Sequence, residues 1–345
     1  MVVVLLESLR TNLYRENLFE RWSVLTITIY IWTQVHLKRN QGLEDDILDK
    51  KFKSGFVAII GRPNVGKSTL INKLVGERVS IISSKPQTTR NSIKCIYSSD
   101  DFQIIFIDTP GIHKPKHKLG EYMVKSATES LKGVDVVVAV FDCSTGIGSG
   151  DMYIIDIAKE VKVPVILVLN KIDKIGRTEL EQIVASLSIH EDYFDSIIPI
   201  SAKEGNNMEE LIKEIVKCMP EGPLYFPSDM YTDMPEKFII SELIREKILE
   251  LTSEEVPHGT AVEVFSMKER EGRSFIDIEA TIYCEKDSHK GIIIGKQGVM
   301  LKEIGTRART DIEALLDCKV NLQLWVKTKK NWRDSNSFLR GLGYQ

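Results

Sequence analysis

The sequence predicts two domains, an α/β domain with a mostly parallel sheet followed by a smaller α+β domain. The chain has 345 residues, more than a single hydrophobic core usually organises. From residue 56 onwards, short apolar runs alternate with helical patterns, which is the rhythm of a sheet wrapped by helices. Prolines and glycines then crowd between residues 220 and 235. They indicate a linker, because a different order of elements follows them.

The strands of the first domain are predicted from apolar runs. Several of these runs are continuous rather than alternating, as in strands that are buried on both faces. The predicted strands are residues 56–60, 103–107, 134–141, 163–169 and 197–200. Helical patterns lie between them, among others at residues 120–131, 151–161 and 208–219. We assign residues 51–220 to this domain and residues 221–236 to the linker.

The second domain, residues 237–330, has another order of elements. A helix is predicted at residues 238–251, and two strands at 261–265 and 274–283. A glycine-containing turn, a long helix at residues 300–316 and a strand at 320–326 complete the domain. Residues 331–345 are left as a C-terminal tail.

The first fifty residues do not match the rest of the chain. Their apolar stretch, residues 24–32, is shorter than the approximately 20 residues that a membrane-spanning helix needs. Acidic residues precede the stretch and no small-residue cleavage site follows it, so a signal peptide is also a poor fit. We predict that residues 1–50 are dispensable, as an upstream-start artefact or a poorly ordered extension. The alternative is a peripheral contact with a membrane or a partner.

The composition, 43% hydrophobic and 28% charged, is that of a soluble globular protein. The net charge of −3 hides a basic stretch. Residues 286–333 hold eleven Lys or Arg against five Asp or Glu, a local charge of +6 that could attract phosphates. The five cysteines are scattered and include no Cys-x-x-Cys pair. This pattern does not indicate a disulfide scaffold or a zinc site, and a reducing cytosol is the expected compartment.

A phosphate-binding loop is predicted between the first strand and the first helix. The sequence GRPNVGKS at residues 61–68 fits G-x-x-x-x-G-K-[ST]. Glycines let successive backbone N–H groups face phosphates, and the helix N-terminus adds its dipole. The lysine reaches the terminal phosphates and the serine hydroxyl binds Mg²⁺. The predicted nucleotide-binding residues of this loop are Gly61, Asn64, Val65, Gly66, Lys67, Ser68 and Thr69.

Two further segments are predicted to complete the magnesium site. DTPG at residues 108–111 follows a strand, so that Asp108 can hold the hydrated cation and the Gly111 N–H can approach the terminal phosphate. The polar segment KPQTTR at residues 85–90 offers a threonine that would bind Mg²⁺ only while that phosphate is present. We favour Thr89 over Thr88. The predicted magnesium ligands are therefore Ser68, Thr89 and Asp108.

The base is predicted to be guanine. NKID at residues 170–173 follows a strand and supplies Asn170, Lys171 and Asp173. The Asp173 carboxylate can accept hydrogen bonds from the ring N–H and the exocyclic amine of guanine, whereas adenine would leave it unpaired. Backbone contacts to the guanine oxygen are assigned to a second segment after a strand, Ser201, Ala202 and Lys203. The expected ligands are GTP and GDP with Mg²⁺.

One residue that many GTPases use is missing. They place a glutamine directly after the D-x-x-G motif to orient the attacking water. Here Ile112 occupies that position. The hypothesis is that GTP hydrolysis is slow without assistance. A partner or a monovalent cation would then accelerate it.

In the second domain, GKQG at residues 295–298 lies between an apolar run and the long helix. This setting, with the order helix, strand, strand, helix, loop, helix, strand, is that of a bacterial, type II KH domain, whose Gly-x-x-Gly loop clamps single-stranded RNA. The predicted RNA-binding residues are Gly295, Lys296, Gln297, Gly298, Lys302 and Arg307. In the tail, Trp332 could stack on a base or pack on the domain, and the sequence does not decide between them.

Several stretches together resemble the bacterial Era GTPases from residue 53 to the C-terminus. They are GRPNVGKSTLINKLVG, SSKPQTTR, DTPGIHKPKHKLGEYMV, LNKID, ISAKEG, IIIGKQGVMLKEIGTRARTDIE and VKTKKNWRDSNSFLRGLGY. The family usually begins close to Lys51, so residues 1–50 are a departure from it.

The resemblance implies a cytoplasmic ribosome-assembly factor that binds the 3′ end of small-subunit ribosomal RNA and is partly peripheral on the cell membrane. It also implies that Asn64 helps to bind an activating K⁺. We expect Lys67, Thr89 and Asn64 to act in catalysis, and a monomer is the default expectation.

Two interpretations of the whole chain remain. In one, the nucleotide state controls the grip on RNA. In the other, the chain is an RNA-binding module whose GTPase domain is mainly structural. The complete phosphate-sensing set favours the first, because a scaffold needs no sensor. A tRNA-modifying GTPase lacks support, since no C-terminal cysteine motif for that chemistry is present.

Overall fold

The computed structural model of the chain describes residues 51–77, 79–83, 85, 88–112, 115, 117–271 and 274–344. The prediction for residues 1–50 therefore lies outside the described residues. Residues 52–345 form one compact unit. No helix of the described part is long and apolar enough to cross a membrane.

The first domain alternates strands and helices as its apolar pattern predicts. Its elements are β1 (Lys53–Ile60), α1 (Lys67–Val75), β2 (Ile93–Ser98), β3 (Phe102–Asp108), α2 (Lys118–Glu129), β4 (Val136–Asp142), α3 (Ser149–Glu160), β5 (Val165–Asn170), α4 (Arg177–Leu187), β6 (Ser196–Pro199) and α5 (Met208–Cys218). Short 3₁₀ turns follow β4, β5 and α4, at Cys143–Thr145, Ile172–Lys174 and Ser188–Tyr193.

The six strands form one sheet in the order β2-β3-β1-β4-β5-β6. Every neighbouring pair is parallel except β2 with β3. Every residue of β4 and of β5 is buried, as the continuous apolar runs predict. Because parallel strands are joined by crossover helices, their carboxyl ends meet at one edge of the sheet. The predicted nucleotide motifs follow β1, β3, β5 and β6 at that edge.

The second domain places helices on one face of a three-stranded sheet. Its elements are α6 (Glu236–Leu251), β7 (Thr260–Glu269), β8 (Phe275–Cys284), α7 (Asp287–Ile294), a 3₁₀ turn (Lys296–Gly298), α8 (Val299–Leu316), β9 (Lys319–Thr328), a 3₁₀ turn (Trp332–Asp334) and α9 (Asn336–Gly341). The sheet order is β7-β8-β9, with β7 antiparallel and β9 parallel to β8. The two-part fold class is confirmed, an α/β domain with a mostly parallel sheet followed by a smaller α+β domain.

The sequence reading missed three elements. β2 was not assigned, because it is an antiparallel edge strand within a stretch without a clear period. The linker packs along this edge, where Thr232 bridges to Cys95 and the Ile96 N–H donates to Tyr231 O at 2.8 Å. The helices α4 and α9 were not assigned either. α4 has one buried residue, Leu187, and α9 is only six residues long, so neither has a strong apolar period.

Within the residues that the structure describes, four apolar cores hold the fold together. Two lie on the two faces of the large sheet, and a third lies between the small sheet and α6 and α8. The fourth joins the domains. It combines Leu119 and Met123 of α2 with Ala261 of β7 and with Trp332, Leu339 and Tyr344 of the tail.

Candidate functional site

The turn between β1 and α1 curls around a cavity at the carboxyl edge of the large sheet. Asn64 (φ 66) and Gly66 (φ 101) have left-handed backbone conformations. A Cβ atom on Gly66 would lie 2.4 Å from Asn170 Nδ2, so the close approach of these two segments requires glycine. α1 begins at Lys67, and its first three residues line the cavity. The helix dipole therefore favours an anion there.

The Lys67 side chain is buried and turns back over the loop. Its Nζ donates to Gly61 O and Arg62 O, each at 3.1 Å. Burial lowers the pKa of Lys67 to about 8, although the nearby Asp108 charge acts in the opposite direction. The carbonyl oxygens hold the ammonium in place without cancelling its charge. A terminal phosphate would thus meet a desolvated, pre-positioned cation.

Asp108, Ser68 and Thr89 meet at one point beside the loop. Asp108 Oδ2 accepts a hydrogen bond from Ser68 Oγ at 2.8 Å, and Thr89 Oγ1 lies 3.5 Å from the same oxygen. The Ser68 and Thr89 hydroxyl oxygens are 3.0 Å apart. Adjacent ligands in an octahedron with bonds of about 2.1 Å are also separated by about 3.0 Å. The two hydroxyls are therefore spaced as neighbouring Mg²⁺ ligands.

The other oxygen of Asp108 supports the same assignment. Asp108 is fully buried, and its Oδ1 has no hydrogen-bond partner within the described part of the chain. Burial raises the pKa of Asp108, while hydrogen bonds and the Lys67 charge act to lower it. A hydrated cation would give the orphaned oxygen a partner. The donor set thus fits Mg²⁺.

The structure distinguishes the two candidate threonines. The Thr88 hydroxyl donates to Lys85 O at 2.6 Å, within its own loop. The Thr89 hydroxyl instead points to Ser68 and Asp108, and Thr89 is buried. Thr89 is therefore the threonine beside the proposed cation position.

Asn170 joins the phosphate loop to the predicted base-binding segments. Its Nδ2 donates to Val65 O at 2.8 Å, and its Oδ1 accepts from Ala202 N at 3.0 Å. The Ala202 N–H, which the sequence assigned to the guanine oxygen, thus has a protein partner here. Ser201 Oγ donates to Asp173 Oδ1 at 2.6 Å. This hydrogen bond fixes the orientation of the carboxylate that would read guanine.

Lys171 is held by a residue that the sequence reading missed. Its Nζ donates to Asn64 O at 2.7 Å and to Asp142 Oδ2 at 2.6 Å. Burial alone would raise the pKa of Asp142, but hydrogen bonds from Lys171 and Ser144 outweigh burial and lower it. Asp142 ends β4, and a polar residue at the end of a buried strand was the available signal.

These segments enclose a cavity of about 520 Å³, a volume in the range of small-molecule sites. Its lining includes the predicted residues Asn64, Gly66, Lys67, Ser68, Thr69, Thr89, Gly111, Asn170, Lys171, Asp173, Ala202 and Lys203. Gly61, Val65, Asp108 and Ser201 lie behind this lining and contact it through the hydrogen bonds given above. In the described ranges, no cluster of three or more His, Cys, Asp or Glu side chains could hold a metal by itself. A cation in the cavity would therefore rely on hydroxyls and phosphates as well.

Ile112 is a structural residue. It is buried, and its N–H donates to Gly61 O at 3.3 Å. An aliphatic side chain in this position cannot orient a water molecule.

The Gly-x-x-Gly segment connects α7 to α8 through a tight 3₁₀ turn. Gly295 (φ 72), Gln297 (φ 54) and Gly298 (φ 79) all have positive φ. A Cβ atom on Gly295 would lie 2.7 Å from Met300 Cβ, so this backbone approach also requires glycine. Next to the turn, the apolar side chains of Ile292 (49%) and Val299 (67%) are strongly exposed. The turn thus presents backbone and apolar surface together, as an RNA clamp needs.

The basic residues around this turn are on the surface. Lys296, Lys302 and Arg307 are exposed, and Arg307 Nε pairs with Glu303 at 2.7 Å on the same helix. Trp332, by contrast, is fully buried, and its ring N–H donates to Gly259 O at 2.9 Å. It packs on the domain, so it does not stack on a base. Trp325 on β9 is the partly exposed tryptophan of this region.

Three consecutive residues connect the nucleotide site to the second domain. Thr88 O accepts a hydrogen bond from Arg245 of α6, and the Thr89 hydroxyl lies beside Ser68 at the proposed cation position. Arg90 is 1% exposed and inserts into the second domain. It donates to Thr260 O at 2.7 Å and to His258 O at 3.2 Å.

Further contacts support this junction. The guanidinium of Arg90 lies 5.6 Å from the ring centroid of Trp332. Lys85 Nζ donates to the carbonyl oxygens of Leu249 and Thr252 at the end of α6. On the other side, the Lys118 N–H at the start of α2 donates to Asp334 Oδ1 at 3.1 Å. The segment around Thr89 contacts the second domain, and the start of α2 contacts the C-terminal tail.

The chain matches two protein families. Residues 56–171 match the family described as "50S ribosome-binding GTPase", and residues 255–333 match the KH domain family. The chain is 61% identical to GTPase Era of Alkaliphilus oremlandii over 293 residues, which cover 85% of this chain and 99% of the relative. It is 54% identical to GTPase Era of Clostridioides difficile over 293 residues, with the same coverage.

Two solved structures are similar over the same part of the chain. One is a variant of Era from Aquifex aeolicus bound to GDP·AlF₄⁻, with a TM-score of 0.82 and 42% identity. The other is Era in complex with MgGDPNP and nucleotides 1506–1542 of 16S ribosomal RNA, with a TM-score of 0.83 and 42% identity. Each similarity covers 85% of this chain and 99% of the other.

Proposed function

The chain belongs to the Era family of GTPases, and from that premise we propose that it is a GTP-driven switch. The switch binds the 3′ end of small-subunit ribosomal RNA and assists assembly of the small ribosomal subunit. Its reaction is the hydrolysis of GTP to GDP and phosphate. The observation that carries the switch is the run of residues 88–90, which joins the proposed cation position to the RNA-binding domain. A relative bound to MgGDPNP and 16S ribosomal RNA supports both ligands.

In the nucleotide site, each residue has a separate proposed role. Asp173, fixed by Ser201, would accept the guanine N–H groups. Lys67 would bind the terminal phosphates and stabilise the charge that develops there during hydrolysis. Ser68, Thr89 and Asp108 would hold Mg²⁺, which neutralises part of the phosphate charge when it is bound.

The coupling follows from the position of Thr89 between two contacts with the second domain. Thr89 would sense the terminal phosphate through the cation, and the adjacent backbone places Arg90 against Thr260 O and Thr88 O against Arg245. Loss of the phosphate on hydrolysis would remove the partner of Thr89 and weaken the support of these contacts. The alternative, an RNA-binding module with a mainly structural GTPase domain, gives no reason for Arg90 to be adjacent to a phosphate sensor.

The RNA assignment is tested with two fluorescent oligonucleotides at one stated salt concentration. One copies the 3′ end of small-subunit ribosomal RNA, and the other has the same composition in scrambled order. We expect at least about tenfold tighter binding of the copy, because the Gly-x-x-Gly groove reads the edges of splayed bases. Equal affinity for the two would contradict the proposed RNA target.

We also propose that K⁺ activates hydrolysis and that Asn64 contributes to its binding. The support is the absence of a glutamine after Gly111 and the place of Asn64 in the cavity wall. Asn64→Gly tests this, since glycine accepts the left-handed conformation at residue 64 without strain. We expect turnover in KCl to exceed that in NaCl, and the variant to lose the difference while it still binds GTP. A fast turnover that needs neither K⁺ nor a partner would refute the proposal.

Location and oligomeric state are proposed from the family resemblance alone. We propose a monomeric, cytoplasmic protein with a peripheral fraction on the membrane. Light scattering would give the mass in solution, and flotation with vesicles of bacterial phospholipid would measure the peripheral fraction. A stable dimer, or no flotation at low salt, would contradict the respective statement.

A further inference from the structure

A buried serine outside the predicted site contacts the carboxylate at its centre. Ser80 lies between α1 and β2 and is 1% exposed. Its hydroxyl donates to Asp108 Oδ2 at 2.5 Å, closer than the 2.8 Å contact from Ser68. The sequence reading gave Ser80 no role, because it stands outside every nucleotide-binding motif.

Ser80 is itself fixed by Asn72 of α1. Asn72 Oδ1 accepts from the N–H groups of Val79 at 3.2 Å and Ser80 at 2.9 Å, and Asn72 Nδ2 donates to Ser80 O at 2.6 Å. One amide side chain thus binds the backbone of Ser80 on both sides. All three of these hydrogen bonds join protein groups.

The two carboxylate oxygens of Asp108 differ in their hydrogen bonds. Oδ2 accepts hydrogen bonds from the Ser80 and Ser68 hydroxyls, whereas Oδ1 is buried and has no partner among the described residues. We propose that Ser80 is a positioning residue for the magnesium site, which holds the Asp108 carboxylate beside the Ser68 and Thr89 hydroxyls. This inference rests on the proposed magnesium site and adds to it a residue that touches neither the metal nor the nucleotide.

Ser80 and Thr89 approach the same oxygen of Asp108. Their hydroxyls reach Oδ2 at 2.5 Å and 3.5 Å respectively. Ser80 therefore makes the closer contact, and Asn72 fixes its backbone.

The test measures how Mg²⁺ slows the release of a fluorescent GDP from the full chain. Ser80→Ala removes the hydroxyl, and Ser80→Thr retains it. Ser126→Ala is a matched control, because it removes a serine–serine hydrogen bond of 2.8 Å between α2 and Ser92. Partners that orient metal ligands typically contribute about 10–100-fold to metal affinity. We expect Ser80→Ala to raise, about tenfold or more, the Mg²⁺ concentration at which the slowing of GDP release is half-maximal. Ser80→Thr and Ser126→Ala should stay within about twofold of the parent.

Two results would overturn the inference. The first is an unchanged Mg²⁺ midpoint in Ser80→Ala. The second is an equal loss of nucleotide affinity with and without Mg²⁺, which would mean that Ser80 only supports packing. Ser68→Ala removes a proposed direct Mg²⁺ ligand and so tests the magnesium site itself. If the Mg²⁺ midpoint shifts in Ser68→Ala but not in Ser80→Ala, the role of Ser80 is refuted. If it shifts in neither variant, the magnesium site is refuted.

Discussion

Substitution of Arg90 by methionine should uncouple RNA binding from the nucleotide state. Methionine keeps much of the buried volume of this 1%-exposed side chain but cannot donate to Thr260 O or His258 O. Hydrogen bonds from a charged group contribute about 1.5–3 kcal/mol each, and a buried contact with the face of Trp332 adds about 2 kcal/mol. These contacts exist only while the loop that carries Thr89 is docked on the second domain.

The cost of burying the Arg90 charge reduces the stabilisation that these contacts provide. Burial and the like charge of Arg245 lower the pKa of Arg90, and Arg90 Nε has no hydrogen-bond partner within the described residues. We therefore expect a net coupling of about 2 kcal/mol, within the usual range of about 1–3 kcal/mol for coupled sites. This corresponds to about a thirtyfold effect on affinity.

The assay is fluorescence anisotropy of the ribosomal 3′-end oligonucleotide with the chain loaded either with a non-hydrolysable GTP analogue or with GDP. The quantity of interest is the ratio of the two dissociation constants. In Arg90→Met the ratio should approach one, while the affinity for each nucleotide stays within about threefold of the parent.

The control is Arg177→Met, which removes an exposed arginine that pairs with Glu181 on α4. It should leave the ratio unchanged. The reasoning fails if Arg90→Met keeps the parental ratio, or if it abolishes GTP binding.

Three further predictions concern separate parts of the molecule. Gly298→Asp should abolish RNA binding and leave GTP affinity intact, because it adds a side chain and a negative charge at a backbone with φ 79; loss of both activities would indicate misfolding. Asp173→Asn should lower GTP affinity by about 10²–10⁴-fold, the value of two hydrogen bonds to a charged group, in a filter-binding assay; near-normal affinity would move the base contact elsewhere. Trp332→Ala should destabilise the fold by about 3–5 kcal/mol in chemical denaturation, because a buried ring is lost and Gly259 O loses its donor; a change below about 1 kcal/mol would contradict its role in the interdomain core.

The nucleotide motifs could be placed from sequence because each stands at the end of a buried strand. The strand pattern determines that these ends meet, and the motif supplies the chemistry. Thr89 could only be favoured over Thr88, since neighbouring residues share a loop whose conformation depends on contacts distant in sequence. Asp142 and Ser80 were not predicted for a related reason, because each acts through another residue. Asp142 binds Lys171, and Ser80 binds Asp108.

The domain junction was beyond sequence reasoning altogether. Arg90 reads as a loop cation that should be exposed, and its burial depends on carbonyl groups some 170 residues away along the chain. Trp332 was ambiguous because an aromatic residue among basic ones suits either RNA or a core. Its partners come from α2, β7 and the tail, so only the assembled fold decides.

The most direct test of the central claim is the affinity of the unaltered chain for the ribosomal 3′-end oligonucleotide in its two nucleotide states. Both measurements use the same salt concentration, since phosphate contacts make affinity salt-dependent. A switch predicts binding at least about tenfold tighter with the GTP analogue than with GDP, a coupling of about 1.4 kcal/mol. Equal affinities would contradict it and would leave a GTPase and an RNA clamp that share a chain without communicating.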